Sequence, residues 1–220
     1  SSNWVRKKVS LKKYKNIFWD FDGVIKDSVD VKSEAFLNLF HKTDLNLKKK
    51  IKDHHLNNSG ISRYKKIPLY LEWAEIDKSQ LTNYLDVFEK DVISRVIKSN
   101  WVMGAREYLC LNPYQQNFFL ITATPQKEIE FILKKLNIFD AFSSIFGSPI
   151  EKSLAVKKII FDNKLLKREC IFFGDALTDY NASLENGISF LLRMHRHNKD
   201  IFENISIDYK VKDFINYEQI

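Results

Sequence analysis

The amino-acid sequence predicts an α/β protein with an open parallel sheet and an all-helical insert after the first strand. Three observations support this fold class. Short apolar runs end at turn or polar residues, helical periodicity lies between these runs, and one long stretch shows helical periodicity alone.

Four short apolar runs are the candidate strands of the sheet. They are rich in aromatic and β-branched residues, and turn residues follow the first three, as is typical of buried parallel strands. In chain order they cover residues 16–19, 118–121, 171–173 and 188–192.

Helical periodicity separates the candidate strands. After the second run, apolar residues recur on one helix face, at Ile129, Ile132, Leu133 and Leu136. Thr124 is expected to cap this helix, with Pro125 at its first position. Residues 28–97 contain no convincing strand, and their periodicity predicts helices around residues 31–40 and 84–93.

The bulk composition narrows the function classes. The chain has 220 residues, of which 45% are hydrophobic, so it can bury a sizeable core. No apolar run approaches the ~18 residues of a membrane span. The net charge of +7 is spread widely and indicates a solvated, Lys-rich surface rather than a nucleic-acid site. The two cysteines, Cys110 and Cys170, lack metal-ligand spacing, which fits a reducing cytoplasm.

Two carboxylates follow the first candidate strand. Residues two apart in an extended chain point the same way, so Asp20 and Asp22 should face one spot. Ligands in open α/β sheets bind beyond the carboxyl ends of the strands, and Gly23 permits a tight turn there. Alone, the Asp-x-Asp-Gly pattern also fits a calcium loop or an ordinary turn.

Further polar residues lie at the other strand ends and at one helix start. The hydroxyl of Thr122 could bind a phosphate oxygen, or could simply cap a turn. Lys152 could neutralise a phosphate and a carboxylate, although the chain has 35 Lys and Arg residues. Asp175 and Asp179 suit a hard cation such as Mg²⁺, although acids are common at helix N-termini.

Taken together and in this order, these residues resemble the four motifs of the haloacid dehalogenase-like superfamily of phosphotransferases. The resemblance spans about residues 16–193, and the helical insert is similar to the cap of phosphoglycolate phosphatases and β-phosphoglucomutases. It implies a Rossmann-like three-layer α/β/α core formed by residues 1–27 and 98–220. It also implies an all-helical cap domain at residues 28–97, inserted after the first strand.

The resemblance implies a role for each matched residue. Asp20 would attack phosphorus and become an aspartyl-phosphate, while Asp22 would act as acid and then as base. We expect neighbouring carboxylates and partial burial to raise the pKa of Asp22 enough for the acid step. The phosphoryl oxygens would be held by Gly23, Thr122, Ala123 and Lys152.

The resemblance also implies a magnesium site. Its ligands would be Asp20, the backbone carbonyl of Asp22, and Asp175, while Asp179 would support the metal-bound waters or Lys152 without binding the ion itself. A divalent cation and a lysine would keep these crowded carboxylates ionised.

The loop at residues 57–64 is the best candidate for substrate specificity. Gly60 is expected to allow an unusual backbone angle, and Ser62 and Arg63 offer polar contacts, with Arg63 suited to an anionic group. The alternative is a surface turn leading into a helix. The loop also resembles those of phosphatases in surface-polysaccharide biosynthesis, which implies a phosphorylated sugar or a sugar-linked phosphate. His195, with Arg193 and Arg196, follows the last candidate strand and could line the phosphate side of the cleft, although a solvated loop is the preferred interpretation.

Several functions remain open at this point. The first is hydrolysis of a small phosphate monoester, and the second is a phosphomutase that uses the same intermediate. The third is a catalytically idle binding or regulatory module, which the complete motifs disfavour. Asp22 disfavours dehalogenation. The expected partner is a small phosphorylated metabolite, with no nucleic acid and no membrane, and the protein is expected to be a cytoplasmic monomer or homodimer.

Overall fold

A computed structural model describes residues 8–220, in which six strands form one fully parallel sheet. Its strands are β1 (Asn16–Trp19), β2 (Asn117–Pro125), β3 (Ser144–Ser148), β4 (Cys170–Gly174), β5 (Ser189–Arg193) and β6 (Tyr209–Val211). Their order is β3-β2-β1-β4-β5-β6, so the chain progresses outward in opposite directions on the two sides of β1. The carboxyl ends of β1 and β4 therefore flank the point where ligands bind in open α/β sheets.

Eight α-helices lie in the described part of the chain. They are α1 (Val29–Leu39), α2 (Leu45–Asn57), α3 (Arg63–Trp73), α4 (Leu81–Lys98), α5 (Ala105–Leu111), α6 (Gln126–Lys135), α7 (Lys152–Asp162) and α8 (Leu177–Asn186). Among residues 8–220, no helix is both long and apolar enough to cross a membrane.

The sheet is buried on both faces, which makes the core a three-layer α/β/α structure. Alternate residues of β1 divide between two apolar clusters, with Ile17 and Trp19 in one and Phe18 in the other. Apolar residues of α5 and α6 join the first cluster, and those of α7 and α8 join the second. The Rossmann-like fold class predicted from the sequence is confirmed.

Helices α1 to α4 occupy the stretch between β1 and α5. Their interface is aromatic, with Phe36 contacting Tyr70 and Phe88, and Phe40 contacting Tyr70 and Tyr84. We call these four helices the cap helices. Their description as a separate domain at residues 28–97 stays a prediction.

The sequence missed two strands and misplaced one helix start. The missed strands, β3 and β6, lie at the two edges of the sheet and lack a continuous run of buried apolar residues. Helix α6 begins at Gln126, with Pro125 as the residue before its first turn, so Thr124 does not cap it. Instead β2 continues to Pro125, and this extension directs the Thr124 hydroxyl toward Asp22.

Candidate active site

Side chains from separate segments meet at the carboxyl edge of the sheet. Asp20 follows β1, Asp175 follows β4, and Lys152 and Asp179 lie in the first turns of α7 and α8. The Lys152 ammonium is 3.0 Å from Asp20 Oδ2 and 2.8 Å from Asp179 Oδ1. All four side chains are buried, so the lysine bridges two carboxylates away from water.

The charges of this cluster shift the pKa values of its members. Burial and the neighbouring Asp179 carboxylate raise the pKa of Asp20 well above its ordinary value, although Lys152 opposes them. Burial lowers the pKa of Lys152, but Asp179 and Asp20 outweigh it and the net shift is upward. Burial also raises the pKa of Asp175. The carboxylates therefore outnumber the cations that stabilise them, which favours binding of a further cation.

The two acidic residues after β4 have different surroundings. Asp179 accepts hydrogen bonds through both oxygens, because Oδ1 faces Lys152 and Oδ2 accepts from the backbone N–H groups of Asp175 and Ala176. Asp175 Oδ2 lies 2.8 Å from His195 Nε2. Asp175 Oδ1 makes no hydrogen bond within the described part of the chain. Asp179 is thus placed to organise the loop, and Asp175 presents an oxygen for another partner.

The donor set fits a hard divalent cation. One carboxylate oxygen each from Asp20, Asp175 and Asp179 lies within 4.8 Å of the other two, and Mg²⁺ prefers a few carboxylates plus water and phosphate oxygens. Gly23 has a φ of +78°, and a Cβ atom there would lie 2.1 Å from Asp175 Oδ2. Only glycine leaves room beside this carboxylate. Two of the predicted magnesium ligands, Asp20 and Asp175, belong to this group, and its third member is Asp179. The carbonyl of Asp22 as a ligand stays a prediction.

His195 is a largely buried neighbour of this cluster, and its preferred interpretation as a solvated-loop residue is wrong. Its side chain is only 9% exposed. The backbone N–H of His197 donates to His195 Nδ1 at 3.2 Å, so Nε2 carries the proton and donates to Asp175. Asn198 supports this segment by donating to the backbone carbonyl of Asp175. The ring thus fixes one oxygen of Asp175 and leaves the other oxygen free.

Asp22 lies in a different electrostatic environment from the one expected. Lys32, on α1, is 2.5 Å from Asp22 Oδ2, and the Ser28 hydroxyl donates to Asp22 Oδ1 at 2.6 Å. Burial acts to raise the pKa of Asp22, but Lys32 and Ser28 outweigh it and the pKa is lowered. The expectation of a raised pKa is therefore wrong for this geometry, because a cation from the cap helices faces the carboxylate.

The end of β2 contributes three residues with different orientations. Thr122 is buried, and its Oγ1 accepts from the backbone N–H of Thr124 at 3.1 Å. Ala123 and Thr124 line the cavity above Asp20. The Thr124 hydroxyl accepts from Lys32 at 3.0 Å and lies 3.4 Å from Asp22 Oδ2. The phosphate-binding roles of Thr122 and Ala123 stay predictions.

The loop at residues 57–64, which we call the cap loop, contacts the core through the three residues singled out from the sequence. Gly60 has no left-handed φ, so the expected unusual backbone angle is wrong. It is instead a point of close approach, since a Cβ atom there would lie 2.1 Å from Thr178 Oγ1. Ser62 caps α3 and its hydroxyl lies 3.0 Å from that of Ser148.

Arg63 is buried and paired across the boundary between cap and core. Its two terminal nitrogens donate to the two carboxylate oxygens of Glu128 on α6, at 2.7 and 2.5 Å. Its guanidinium also lies over the Phe88 ring, 4.7 Å from the centroid. Its role toward an anionic substrate group stays a prediction, in which the substrate would share Arg63 with Glu128.

A small cavity of about 30 Å³ lies between core and cap. Its core wall consists of Asp20, Asp22, Ala123, Thr124, Lys152 and Asp175, and its cap wall includes Lys32, Phe36, His55, Arg63, Lys66 and Phe88. A larger cleft of about 560 Å³ lies against it and shares Gly60, Ala123 and Lys152 as lining residues. The cavity has room for only about one or two water molecules, so a larger ligand fits there only if the cap loop or the cap helices move.

Sequence reasoning missed Lys32, Thr124, His55 and Lys66 as parts of this site. The place of Thr124 in the site could have been predicted, since it stands two residues after Thr122 in a strand and should share its side of the sheet. Nothing in the sequence distinguishes Lys32 and Lys66 from the many other lysines of the cap helices, because only the packing of the helices brings these two to the site.

The protein is thus an α/β protein with an open parallel sheet and a lysine-bridged aspartate cluster at its switch point. The family model described as haloacid dehalogenase-like hydrolase matches residues 17–192. The chain therefore belongs to the haloacid dehalogenase-like hydrolase family, and it is an enzyme of the hydrolase class.

Solved structures share this fold at low sequence identity. A predicted phosphoglycolate phosphatase from Haemophilus somnus is 16% identical, with a TM-score of 0.73, and covers 93% of this chain and 96% of its own. A putative β-phosphoglucomutase from Thermotoga maritima is 19% identical, with a TM-score of 0.67, covering 90% and 94%. CbbY from Rhodobacter sphaeroides, solved with phosphate, is 11% identical with a TM-score of 0.73, covering 92% and 96%. No curated protein sequence matches the chain.

Proposed function

We propose that this enzyme is a Mg²⁺-dependent phosphatase that hydrolyses a small phosphate monoester through an aspartyl-phosphate on Asp20. The observation that carries the proposal is the buried Lys152 bridge between Asp20 and Asp179, in the same cavity as Asp22 and Asp175. The similarity to proteins named as phosphatases supports this choice of reaction.

In the first step a carboxylate oxygen of Asp20 attacks phosphorus and the ester P–O bond breaks. The leaving alkoxide takes a proton from Asp22. Lys152 opposes the rise in the pKa of Asp20, so it favours the ionised nucleophile, and it lies where it can contact the phosphoryl oxygens. Bound Mg²⁺, held by Asp20, Asp175 and the carbonyl of Asp22, would supply further positive charge to the phosphoryl group.

In the second step a water molecule attacks the aspartyl-phosphate and gives a proton to Asp22, which releases phosphate and restores Asp20. This step requires ionised Asp22, and the Lys32 contact favours that form. The first step requires protonated Asp22, so displacement of Lys32 with α1 would assist it. The position of the cap helices thus matches the charge of Asp22 to each step.

A phosphomutase is the second candidate. It would use the same intermediate but return the phosphoryl group to a sugar instead of water. The small cavity of about 30 Å³ is walled by the cap helices, which would help to exclude water as a mutase requires, and two similar structures are named as β-phosphoglucomutases. Isomerised sugar phosphate, assayed beside released phosphate, distinguishes the two reactions.

Replacement of the nucleophile tests the proposal. Asp20→Asn should lower phosphate release from an aryl phosphate by at least about 10³-fold, because amide oxygen is a poor nucleophile. Asp162→Asn, an exposed change on α7, is the control. Chelator should abolish the parental activity and Mg²⁺ should restore it. Parental turnover by Asp20→Asn would contradict the assignment, and an inactive parent would favour an idle binding module.

The remaining predictions from the sequence concern the setting of this reaction. A phosphorylated sugar or sugar-linked ester, a role in surface-polysaccharide biosynthesis, a cytoplasmic location and a monomer or homodimer all stay predictions. Phosphate release from a panel of sugar phosphates, amino-alcohol phosphates and nucleotides would test the first of them.

A further inference from the structure

Four cationic side chains line the small cavity, and three of them have carboxylate partners. Lys32 faces Asp22, Lys152 bridges Asp20 and Asp179, and Arg63 is paired with Glu128. The fourth is Lys66 on α3. Within residues 8–220, no carboxylate lies within ion-pair distance of its ammonium.

The side chains in direct contact with the Lys66 ammonium are uncharged and buried. Its Nζ lies 3.0 Å from His55 Nδ1 and 5.7 Å from the centroid of the Phe36 ring. Both Lys66 and His55 are 2% exposed. If Nδ1 accepts from Lys66, then Nε2 carries the proton and faces the Val29 carbonyl at 3.5 Å. The imidazole is therefore neutral, and Lys66 has donor capacity left for the cavity.

Burial and neighbouring cations disfavour the protonated form of Lys66. Burial lowers the pKa of Lys66 well below its ordinary value, and Lys32, Lys152 and Arg63 act in the same direction while Asp22 opposes them. Burial, Lys66 and Lys32 likewise lower the pKa of His55. A desolvated ammonium without a carboxylate in contact is costly, and the more distant Asp22 offsets this cost only in part.

We propose that Lys66 and His55 form a subsite that binds a monoanionic group of the carboxylate class on the substrate, separate from the phosphoryl group that is transferred. The direct contacts select the ligand, because the other three cations already face carboxylates and a protonated Lys66 would offer one positive charge that has no carboxylate in contact. A carboxylate matches one charge, whereas a second phosphate dianion exceeds it. This inference rests on the proposed phosphatase function, and a phosphorylated sugar acid would satisfy both this subsite and the sugar prediction.

Non-hydrolysable ligands test the subsite without turnover. 3-Phosphonopropionate and 3-hydroxypropylphosphonate differ only in a terminal carboxylate or alcohol, and homologues one carbon longer allow for reach. The parent enzyme with Mg²⁺ should bind the carboxylate ligand at least roughly tenfold more tightly, as expected for charge-assisted hydrogen bonds. Lys66→Met should reduce this preference to under roughly threefold. Lys49→Met, which removes an exposed cap lysine, should keep it.

Proton uptake gives a second readout that a purely structural role would not move. A bound carboxylate should raise the pKa of Lys66, so calorimetry in two buffers of different ionisation enthalpy should show more proton uptake on binding of 3-phosphonopropionate than on binding of the alcohol ligand. Lys66→Met should lose the excess over the alcohol ligand. Lys66→Gln provides a second variant if Lys66→Met fails to fold.

The outcomes separate this inference from the proposed function. If the parent enzyme hydrolyses phosphate esters but shows no preference for the carboxylate ligand at either chain length, the subsite is overturned and the phosphatase proposal stands. A preference that persists in both Lys66 variants also overturns it. If the preference depends on Lys66 but no phosphate ester is hydrolysed, the subsite stands and the reaction assignment fails.

Discussion

Two buried lysines face the same cavity from opposite walls, and their environments are opposite. Lys152, on the core wall, lies between Asp20 and Asp179, and its pKa is raised. Lys66, on the cap wall, has the neutral imidazole of His55 as its hydrogen-bond partner, and its pKa is lowered well below the ordinary value. Burial lowers the pKa of both residues, so the carboxylates make the difference.

The comparison separates the two tasks of the site. The core wall contains its own counter-charges, so for the proposed phosphoryl transfer it would be organised before any ligand arrives. The cap wall contains a cation whose counter-charge is missing from the described chain, so a ligand can supply it. Chemistry and selectivity are thereby assigned to different segments, and the same substitution in each wall should have opposite effects.

The largest effect should come from Lys152→Met. Removal of this cation leaves Asp20 and Asp179 buried and uncompensated, so the free energy of unfolding should fall by about 3–5 kcal/mol in chelator. Urea denaturation measures this change. Lys158→Met, an exposed change on the same helix, should stay within about 0.5 kcal/mol of the parent. Equal stability of Lys152→Met and the parent would show that the carboxylates do not depend on this lysine.

The core wall is also the part of the site whose residues could be predicted from the sequence. Asp20, Asp22, Lys152 and Asp175 stand at strand ends or at a helix start, and the carboxyl edge of a parallel sheet brings such positions together. The strands that carry them are continuous apolar runs, which the sequence reveals directly.

The residues of the cap wall could not be predicted from the sequence in the same way. Lys32 and Lys66 are two among many lysines, and their burial depends on how four helices pack. The lowered pKa of Asp22 was missed for this reason, since its cause is a cation from α1. His195 was missed because an irregular segment after β5 brings it to Asp175, and no periodicity describes such a segment.

A second prediction concerns the contact between the walls. Because the pKa of Asp22 is lowered in the folded protein, its ionised form stabilises the fold above the ordinary value of 3.8. This contribution is lost as pH falls through the lower folded value. Lys32→Met should therefore destabilise the protein by about 1–3 kcal/mol at pH 7, and by progressively less toward pH 3.

Urea denaturation between pH 3 and pH 7 in chelator tests this dependence, with Lys158→Met as the exposed control. A deficit that stays constant over this range would mean that Lys32 acts through packing and not through the charge of Asp22.

The third prediction tests whether His195 prepares Asp175 for the cation. His195→Ala should weaken Mg²⁺ binding by about 10–100-fold, as expected when the hydrogen-bond partner of a metal ligand is lost. His195→Gln should recover part of the affinity, because its amide nitrogen can donate from nearly the same place as Nε2. Calorimetric titration with Mg²⁺ measures both variants. Equal losses would indicate a packing role for the ring.

The smallest effect, and the one that completes the comparison, is the thermal stability of Lys66→Met. Methionine fills a similar volume without a desolvated amine, so the free energy of unfolding should rise by about 1 kcal/mol and the melting temperature by about 2–4 °C. Lys152→Met should shift the melting temperature in the opposite direction in the same ligand-free assay. A fall for Lys66→Met would mean that its hydrogen bond to His55 stabilises the cap helices more than its burial opposes them, and Lys66 would then be a structural residue of the cap wall.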